Sequence, residues 1–355
     1  MPTLDYGGGV EKNFFIITNY LSTKFKKITV VTLSQSVKTK LSNKVNIICP
    51  KISLIHHLGR RLRFIVALVY LLQTILVNKK PTVFCFQGII YCTLLCKIIG
   101  TKVIVRSNSS PSGWSNNFIK TILYKKIYSF ADTIVVNSLN FKKEIKKKFN
   151  LESVCIYNPL NKIEILKDSK KKINFNFFSK KYLNLISVAR FADQKDHECL
   201  VRAINLIKNK SNIKLLLIGS GNLKKRISYL INKLKLSKNI KIIDYQKNPF
   251  PFIKMSDVFI LSSKYEGSPN VLLEAITLNK LIISSDCPTG PREILDKGKG
   301  GILFKVGDYK KLSNIIKLLE KKNKKFNKLK THAKKRLYRF DYKKRLADYF
   351  KIVST

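Results

Sequence analysis

The chain has 355 residues, 45% of them hydrophobic, enough for one large or two medium domains that each bury a core. Its 69 Lys and Arg against 21 Asp and Glu give a formal net charge of +48. That balance raises nucleic acid as a partner, but no recognition-helix, RNP or zinc-finger pattern accompanies it. The excess is overwhelmingly lysine, runs through both halves, and travels with abundant Ile and Asn, as in proteins from AT-rich genomes. A basic surface favours an anionic membrane face and diphosphate-bearing substrates. The seven cysteines fall mostly in apolar runs with no metal-ligand pairing, which suits reduced core thiols in a cytoplasmic protein. No signal-peptide pattern is present. The most hydrophobic stretch, Phe64 to Val77, is too short to span a bilayer and is interrupted by Gln73 and Thr74.

In chain order, Gly7-Gly8-Gly9 precedes a helical pattern over Lys12–Leu21. Glycines there let backbone amides approach a phosphate, and a helix start favours its charge. Strands are predicted over Ile28–Leu33, Val45–Cys49, Thr82–Phe86, Lys102–Arg106 and Thr133–Asn137. Between and after them, helices are predicted over Leu58–Val77, Ile119–Ser129 and Phe141–Lys148. The stretch Tyr157 to Ser179, with Asn158-Pro159 and the polar run Lys167–Lys172, reads as an interdomain connection. A second set of strands follows at Leu183–Ala189, Ile213–Ile218, Ile240–Ile243, Asp257–Leu261, Leu281–Ser284 and Ile302–Phe304. Short β-rich runs alternating with helices predict parallel sheets covered on both faces. The lysine-dense Lys310–Arg336 reads as exposed helix.

Chemistry concentrates in the second half. Arg190 and Lys195 straddle the loop after its first strand, so both can reach one diphosphate, Arg190 as a bidentate fork and Lys195 as a point charge. Gly219 and Gly221 close the next strand. Farther along, Glu266 and Glu274 flank a Gly267-Ser268-Pro269-Asn270 turn, with Ser268 a suitable N-cap and Pro269 a suitable first residue for a helix running to about Asn279. Glu274 then shares a face with Asn270, in a helix otherwise buried through Val271, Leu272, Ala275, Ile276 and Leu278. A carboxylate in so apolar a helix needs a partner. A sugar diol offers two hydroxyl donors, and a helix N-terminus binds phosphate. Together they suit a nucleotide sugar. His197 reads as part of a helix N-cap region, and no Ser/His/Asp nucleophile arrangement is apparent.

The E-x7-E spacing with its interior GSPNVLL, the flanking DVFILSS and LIISSD, the R-x4-K pair, the G-x-G turn and the glycine triplet resemble the donor site of family-4 retaining glycosyltransferases. These are GT-B enzymes related to glycogen synthase. The resemblance implies two Rossmann-like doubly wound domains facing a cleft. The N-terminal acceptor-binding domain would span 1–165, the nucleotide-sugar domain 180–338, and residues 339–355 would form a helix crossing back to the first domain. It implies catalytic roles for Glu266, Arg190 and Lys195. Donor contacts are implied for Gly8, Gly9, Gly219, Gly221, Gly267, Ser268, Asn270, Val271 and Glu274, with Glu274 on the ribose diol. Many relatives place a histidine after the fourth strand; Arg106-Ser107-Asn108 stands here, leaving Asn108 as the acceptor-side candidate.

No Asp-x-Asp motif is present, so no metal and no cofactor are expected beyond a nucleotide sugar, most simply UDP-linked hexose or N-acetylhexosamine. The run Asp286 to Leu295 is similar to members that build surface polysaccharides and lipid-linked glycans. The implied partners are a lipid-linked saccharide acceptor and an anionic membrane surface, without nucleic acid, for an enzyme lying peripherally on the inner face of the cell membrane. Family members also carry an apolar strand before the glycine loop, which Met1 to Tyr6 could supply only in part; the first strand is expected to be missing or truncated. A UDP-sugar epimerase of similar fold and a basic nucleic-acid-binding protein are the alternatives.

Overall fold

The computed structural model describes residues 4, 8–50, 59–79, 81–108, 118–208, 210–319 and 324–355. They form two compact units, residues 1–159 with 342–355, and residues 160–341.

The first unit holds strands β1 (Ile28–Val31), β2 (Val45–Ile48), β3 (Val83–Cys85), β4 (Val103–Arg106), β5 (Thr133–Val136) and β6 (Val154–Cys155). Its helices are α1 (Gly9–Leu21), α2 (Arg60–Val77), α3 (Ile89–Ile99), α4 (Phe118–Tyr128) and α5 (Leu139–Phe149), joined by the C-terminal helix Tyr342–Ser354. Continuous β-branched runs such as Thr133-Ile134-Val135-Val136 give strands buried on both faces. Alternation then sorts them. Val103, Val105, Ile134 and Val136 face α3 and α5, whereas Ile104 and Val135 face α1 and the C-terminal helix. Helix α5 is closed at both ends by local chemistry: Ser138 Oγ accepts the Phe141 amide at 3.2 Å, and Asn150 takes the left-handed conformation. Helix α3 was not expected from sequence.

All pairs are parallel, but the strands form two sheets, β1-β2 and β3-β4-β5-β6. A cavity of about 510 Å³ is lined by consecutive residues of both β1 (Lys27 to Val31) and β3 (Pro81 to Gly88). Because successive side chains point to opposite faces, a cavity touching every residue in a row abuts the strand's backbone edge.

The second unit holds α6 (Lys162–Asp168), β7 (Leu183–Val188), α7 (His197–Asn205), β8 (Ile213–Ile218), α8 (Lys224–Lys233), β9 (Ile240–Ile243), α9 (Phe250–Met255) and β10 (Val258–Leu261). It continues through α10 (Asn270–Thr277), β11 (Leu281–Ser285), α11 (Gly290–Ile294), β12 (Ile302–Phe304), α12 (Tyr309–Leu319) and α13 (Lys324–Lys335), and the C-terminal helix is α14. Its one sheet runs β12-β11-β10-β7-β8-β9, all parallel. Three sequence expectations need correction. The expected connection contains α6, whose Asn161 side chain caps the Glu164 amide. Lys310–Arg336 is not simply exposed, because Leu312, Ile315 and Ile316 of α12 enter the core and Ala333 of α13 is buried. Finally, α10 begins at Asn270 with Pro269 as its extended N-cap, one residue later than the expected Ser268 cap and Pro269 start.

Candidate functional site

At the carboxyl ends of β7, β10 and β11 the second unit ties three loops together. The loop after β7 places Lys195 beside Glu266, with Nζ 2.5 Å from Oε1. Ser263 Oγ donates to the same oxygen at 2.6 Å. Glu266 is buried, and both bonds fall on Oε1, so among the described residues its Oε2 is left to accept from a ligand. A second ion pair, Lys264 Nζ to Asp193 Oδ1 at 2.7 Å, and three bonds to backbone carbonyls also hold the loops. Gln194 Nε2 donates to the Tyr265 carbonyl at 2.8 Å, Ser262 Oγ to the Lys195 carbonyl at 2.8 Å, and Ser285 Oγ to the Ser263 carbonyl at 2.6 Å. Charged hydrogen bonds in such a buried frame fix geometry as well as add energy.

Thr289 and Gly290 complete the frame from the other side. The Thr289 hydroxyl donates to the Glu266 carbonyl, and its backbone sits at φ 77° and ψ −103°, a conformation that costs a non-glycine residue about 1–3 kcal/mol. Gly290 packs so closely on the Gly267 carbonyl and Pro269 that a Cβ would overlap them. The two residues press the Gly267-Ser268-Pro269 turn into place ahead of α10. Nearby, burial and then the Glu266 charge push the Cys287 thiol up to about 12, which keeps it a neutral, unreactive neighbour.

Glu274 is buried within α10, whose Leu272, Leu273, Ala275 and Ile276 are also buried; each fully buried Leu or Ile contributes about 1.5–3 kcal/mol. Asn270 and Val271 form the first turn of that helix. Arg190 is exposed at the start of the loop after β7, and among the described residues its guanidinium has no partner. Gly219 and Gly221 do something the sequence did not reveal. A Cβ on Gly219 would overlap the Ala189 carbonyl, and one on Gly221, at φ 146°, would stand 2.5 Å from the Phe191 carbonyl. They let the β8 loop lie directly on the β7 loop, locked by Phe191 N–H to Ser220 O at 2.8 Å.

His197 opens α7 beneath this loop, stacked on Phe191 with ring centroids 4.4 Å apart. Burial, reinforced by the Lys195 charge, lowers its pKa to about 3, so the ring is neutral. Its place at the start of α7 agrees with the N-cap region read from sequence; Asp196 is the capping residue, accepting the Cys199 amide.

Gly8, Gly9 and Asn108 belong to the first unit. The Gly8 amide donates to Glu11 Oε2 at 2.8 Å, Gly9 is the first residue of α1, and Gly7 lies outside the described residues. Asn108 accepts from Arg106, and its amide donates to the carbonyls of Phe86 at 3.0 Å and Arg106 at 3.1 Å. Fully buried Arg106 also donates to Tyr349 Oη at 2.8 Å and Asn158 Oδ1 at 2.7 Å. Asn108 thus supports a buried cation. Among the described residues no group of three His, Cys, Asp or Glu is placed to hold a metal ion.

Residues 168–336 match the family described as glycosyl transferases group 1. An uncharacterized glycosyltransferase of Methanocaldococcus jannaschii is 38% identical over 61% of this chain and 60% of its own length. The N-acetylgalactosamine-N,N'-diacetylbacillosaminyl-diphospho-undecaprenol 4-alpha-N-acetylgalactosaminyltransferase of Campylobacter jejuni is 25% identical over 71% of this chain and 70% of its own. The chain therefore spans between about three fifths and seven tenths of these two relatives. The structure of Anabaena HepE with UDP-glucose superposes with a TM-score of 0.78 at 15% identity, covering 100% of this chain and 98% of the other. That likeness carries the fold alone. The fold is the parallel-sheet α/β GT-B fold, and the stretch 168–336 that matches the glycosyl transferases group 1 family contains Arg190, Lys195, Glu266 and Glu274.

Proposed function

We propose that the protein is a retaining, metal-independent glycosyltransferase that moves a hexose or N-acetylhexosamine from a UDP-linked donor to a lipid-linked or polysaccharide acceptor at the cytoplasmic membrane face. The observation that carries the reading is the buried Glu266, four residues ahead of α10, whose bonds among the described residues, from Lys195 and Ser263, both fall on one oxygen. Glu266 would accept donor-sugar hydroxyls through that oxygen, and Glu274 would hold the ribose diol. Arg190 and Lys195 would neutralise the departing diphosphate, with amides from Ser268 to Val271 adding donors. An incoming diphosphate competes with Glu266 for Lys195, which couples donor binding to the carboxylate that meets the sugar. Gly219 and Gly221 act by seating the loop that carries Arg190.

The name of the Campylobacter relative, an α-N-acetylgalactosaminyl transfer onto a diphospho-undecaprenol saccharide, supports both the retained anomer and the lipid carrier. Cations and helix amides suffice for the leaving group, so no metal is required. The test is a panel of UDP-sugars with a polyprenyl-diphosphate saccharide as acceptor, run with and without EDTA and with the product anomer read by NMR. The expected product is the α-glycoside, formed equally in EDTA. A β-product overturns retention, loss in EDTA restored by magnesium overturns metal independence, and a new free sugar from donor alone indicates the epimerase instead.

A further inference from the structure

The first unit carries a run in which charge has only one sign. Between residues 12 and 131 there are nineteen Lys and Arg and no Asp or Glu. Helices α2, α3 and α4 lie within it, α3 packing against both others. Their inner faces cover the sheet through residues such as Ile75, Cys92 and Tyr128. Their outer faces are also apolar.

On α2, Leu62, Ile65, Val69 and Leu76 fall at spacings of three, four and seven residues, so they form one stripe along a helix about 27 Å long. That stripe is exposed, Ile65 to 57% and Leu76 to 63%, while Ala67, Thr74 and Ile75 on the other side are buried. Helix α4 repeats the arrangement with Ile119 at 74% exposure, Ile122 and Leu123. Ile98, at 83%, extends it onto α3. Exposed lysines flank the apolar residues, Lys97 on α3 and Lys120, Lys125 and Lys126 on α4. Apolar side chains gathered on one exposed face mark an interaction surface.

We propose that the outer face of α2, α3 and α4 is a membrane-docking surface that lies on an anionic phospholipid bilayer, its Ile and Leu side chains entering the acyl boundary and its lysines meeting the headgroup phosphates. Charge selects this occupant. A second copy would bring the same unrelieved positive rim against itself, and a nucleic acid would leave the apolar stripe in water. An anionic bilayer satisfies both parts of the surface. The proposal deepens the lipid-acceptor reading and rests on it only for the use the enzyme would make of the contact.

The experiment is co-sedimentation of the full chain with phosphatidylcholine vesicles, with and without phosphatidylglycerol. A UDP-dependent thermal shift is measured in parallel on every protein. The wild type should bind anionic vesicles at least about tenfold more strongly than neutral ones. It should be released as salt is raised from 0.1 to 1 M and the screening length falls from about 10 to about 3 Å. The exposed pairs Ile65→Glu/Val69→Glu and Ile122→Glu/Leu123→Glu should each weaken binding about tenfold. Lys120→Glu/Lys125→Glu/Lys126→Glu should abolish the preference for anionic lipid. The UDP-dependent shift should be unchanged in all of them. Equal binding to both vesicles, or variants that bind like wild type, overturns the surface. So does a wild-type dimer in sedimentation velocity that the Glu pairs dissociate, since the face would then belong to a second copy. A missing UDP shift with vesicle binding intact instead overturns the transferase reading and leaves the surface standing.

Discussion

Both units bury charged side chains, and Arg106 of the first and Glu266 of the second are treated differently. In the first, Arg106 is fully buried among neutral groups, the hydroxyl of Tyr349, the amide oxygens of Asn108 and Asn158, and the face of Phe86, 5.8 Å from the ring centroid. Each of its three nitrogens donates to a named acceptor, so it is committed to the scaffold. In the second, Glu266 has one cation and one hydroxyl, both on a single oxygen. A group saturated by its surroundings holds a structure together; a group half-saturated and framed by rigid loops is prepared for something else. The comparison predicts that damage to the two charges will separate stability from turnover.

The largest effect should come from Glu266. Glu266→Ala removes a contact strengthened in the transition state and should lower turnover by about 100- to 1000-fold. Glu274→Ala should mainly raise the donor KM, because ribose contacts are shared by ground and transition states. Steady-state kinetics with the active donor reads both, and wild-type activity in the two variants would dismantle the donor-site assignment.

Arg106→Met should do the opposite, leaving the donor KM in place while lowering stability. Hydrogen bonds from a charged donor are worth about 1.5–3 kcal/mol each, and part of that is offset by no longer burying the cation. A net loss of about 2–4 kcal/mol in urea unfolding is expected, with Tyr349→Phe losing a single bond. Higher stability in Arg106→Met would mean that the cation is kept for a reason other than holding α14.

Those contrasts explain what could be read from the chain. Strands β8, β9 and β12 fall on their expected residues because a short Ile- and Leu-rich run, interrupted at most by one Lys and ended by Gly, Asp or Lys, admits few other readings. Helix α3 was missed because Ile89–Ile99 is apolar all round and shows no periodicity, although Gly88 and Gly100, both left-handed, bracket it. The R-x4-K pair was legible as a spacing inside one loop, and the E-x7-E pair as a spacing across one loop and the helix it leads into. Gln194, Ser263, Ser285, Thr289 and Gly290 were not, because their purpose is the approach of loops up to about ninety residues apart, which no local pattern encodes. The hydrogen bonds of Asn108 were not legible for the same reason, since its partner Phe86 reaches it only through the sheet.

A smaller effect should appear at His197. The unfolded chain takes up this proton near pH 6.5, and the folded one only near 3, because burial and Lys195 disfavour the cation. The neutral ring therefore contributes stability above pH 6.5 that is lost as the pH falls toward 3. At pH 5 the loss is about 2 kcal/mol. His197→Phe keeps the stacking on Phe191 and should flatten the stability profile of the second unit between pH 7 and 5. A variant profile as steep as wild type would assign the slope to other groups.

The smallest effect lies in the sheets themselves. β7 is paired on both sides, by β8 and β10, so its amides should exchange with solvent only through global opening. β1 and β3 each have one paired edge and one edge on the cavity. The Val83 amide donates to Lys102, so the next amide, that of Phe84, points away from β4 toward the cavity. By the same alternation the Thr32 amide donates to Ile48, which turns the Thr29 amide from β2 toward the cavity. Hydrogen exchange followed by NMR should find Thr29 and Phe84 less protected than Val83 and Val30 in the same strands, and far less than Leu185 and Ile186 of β7. A local difference of about tenfold or more between neighbours is expected, since among the described residues one amide has a sheet partner and the next points to the cavity. Uniform protection along β1 and β3 would show that both edges are paired in solution, and that the two sheets of the first unit act as one.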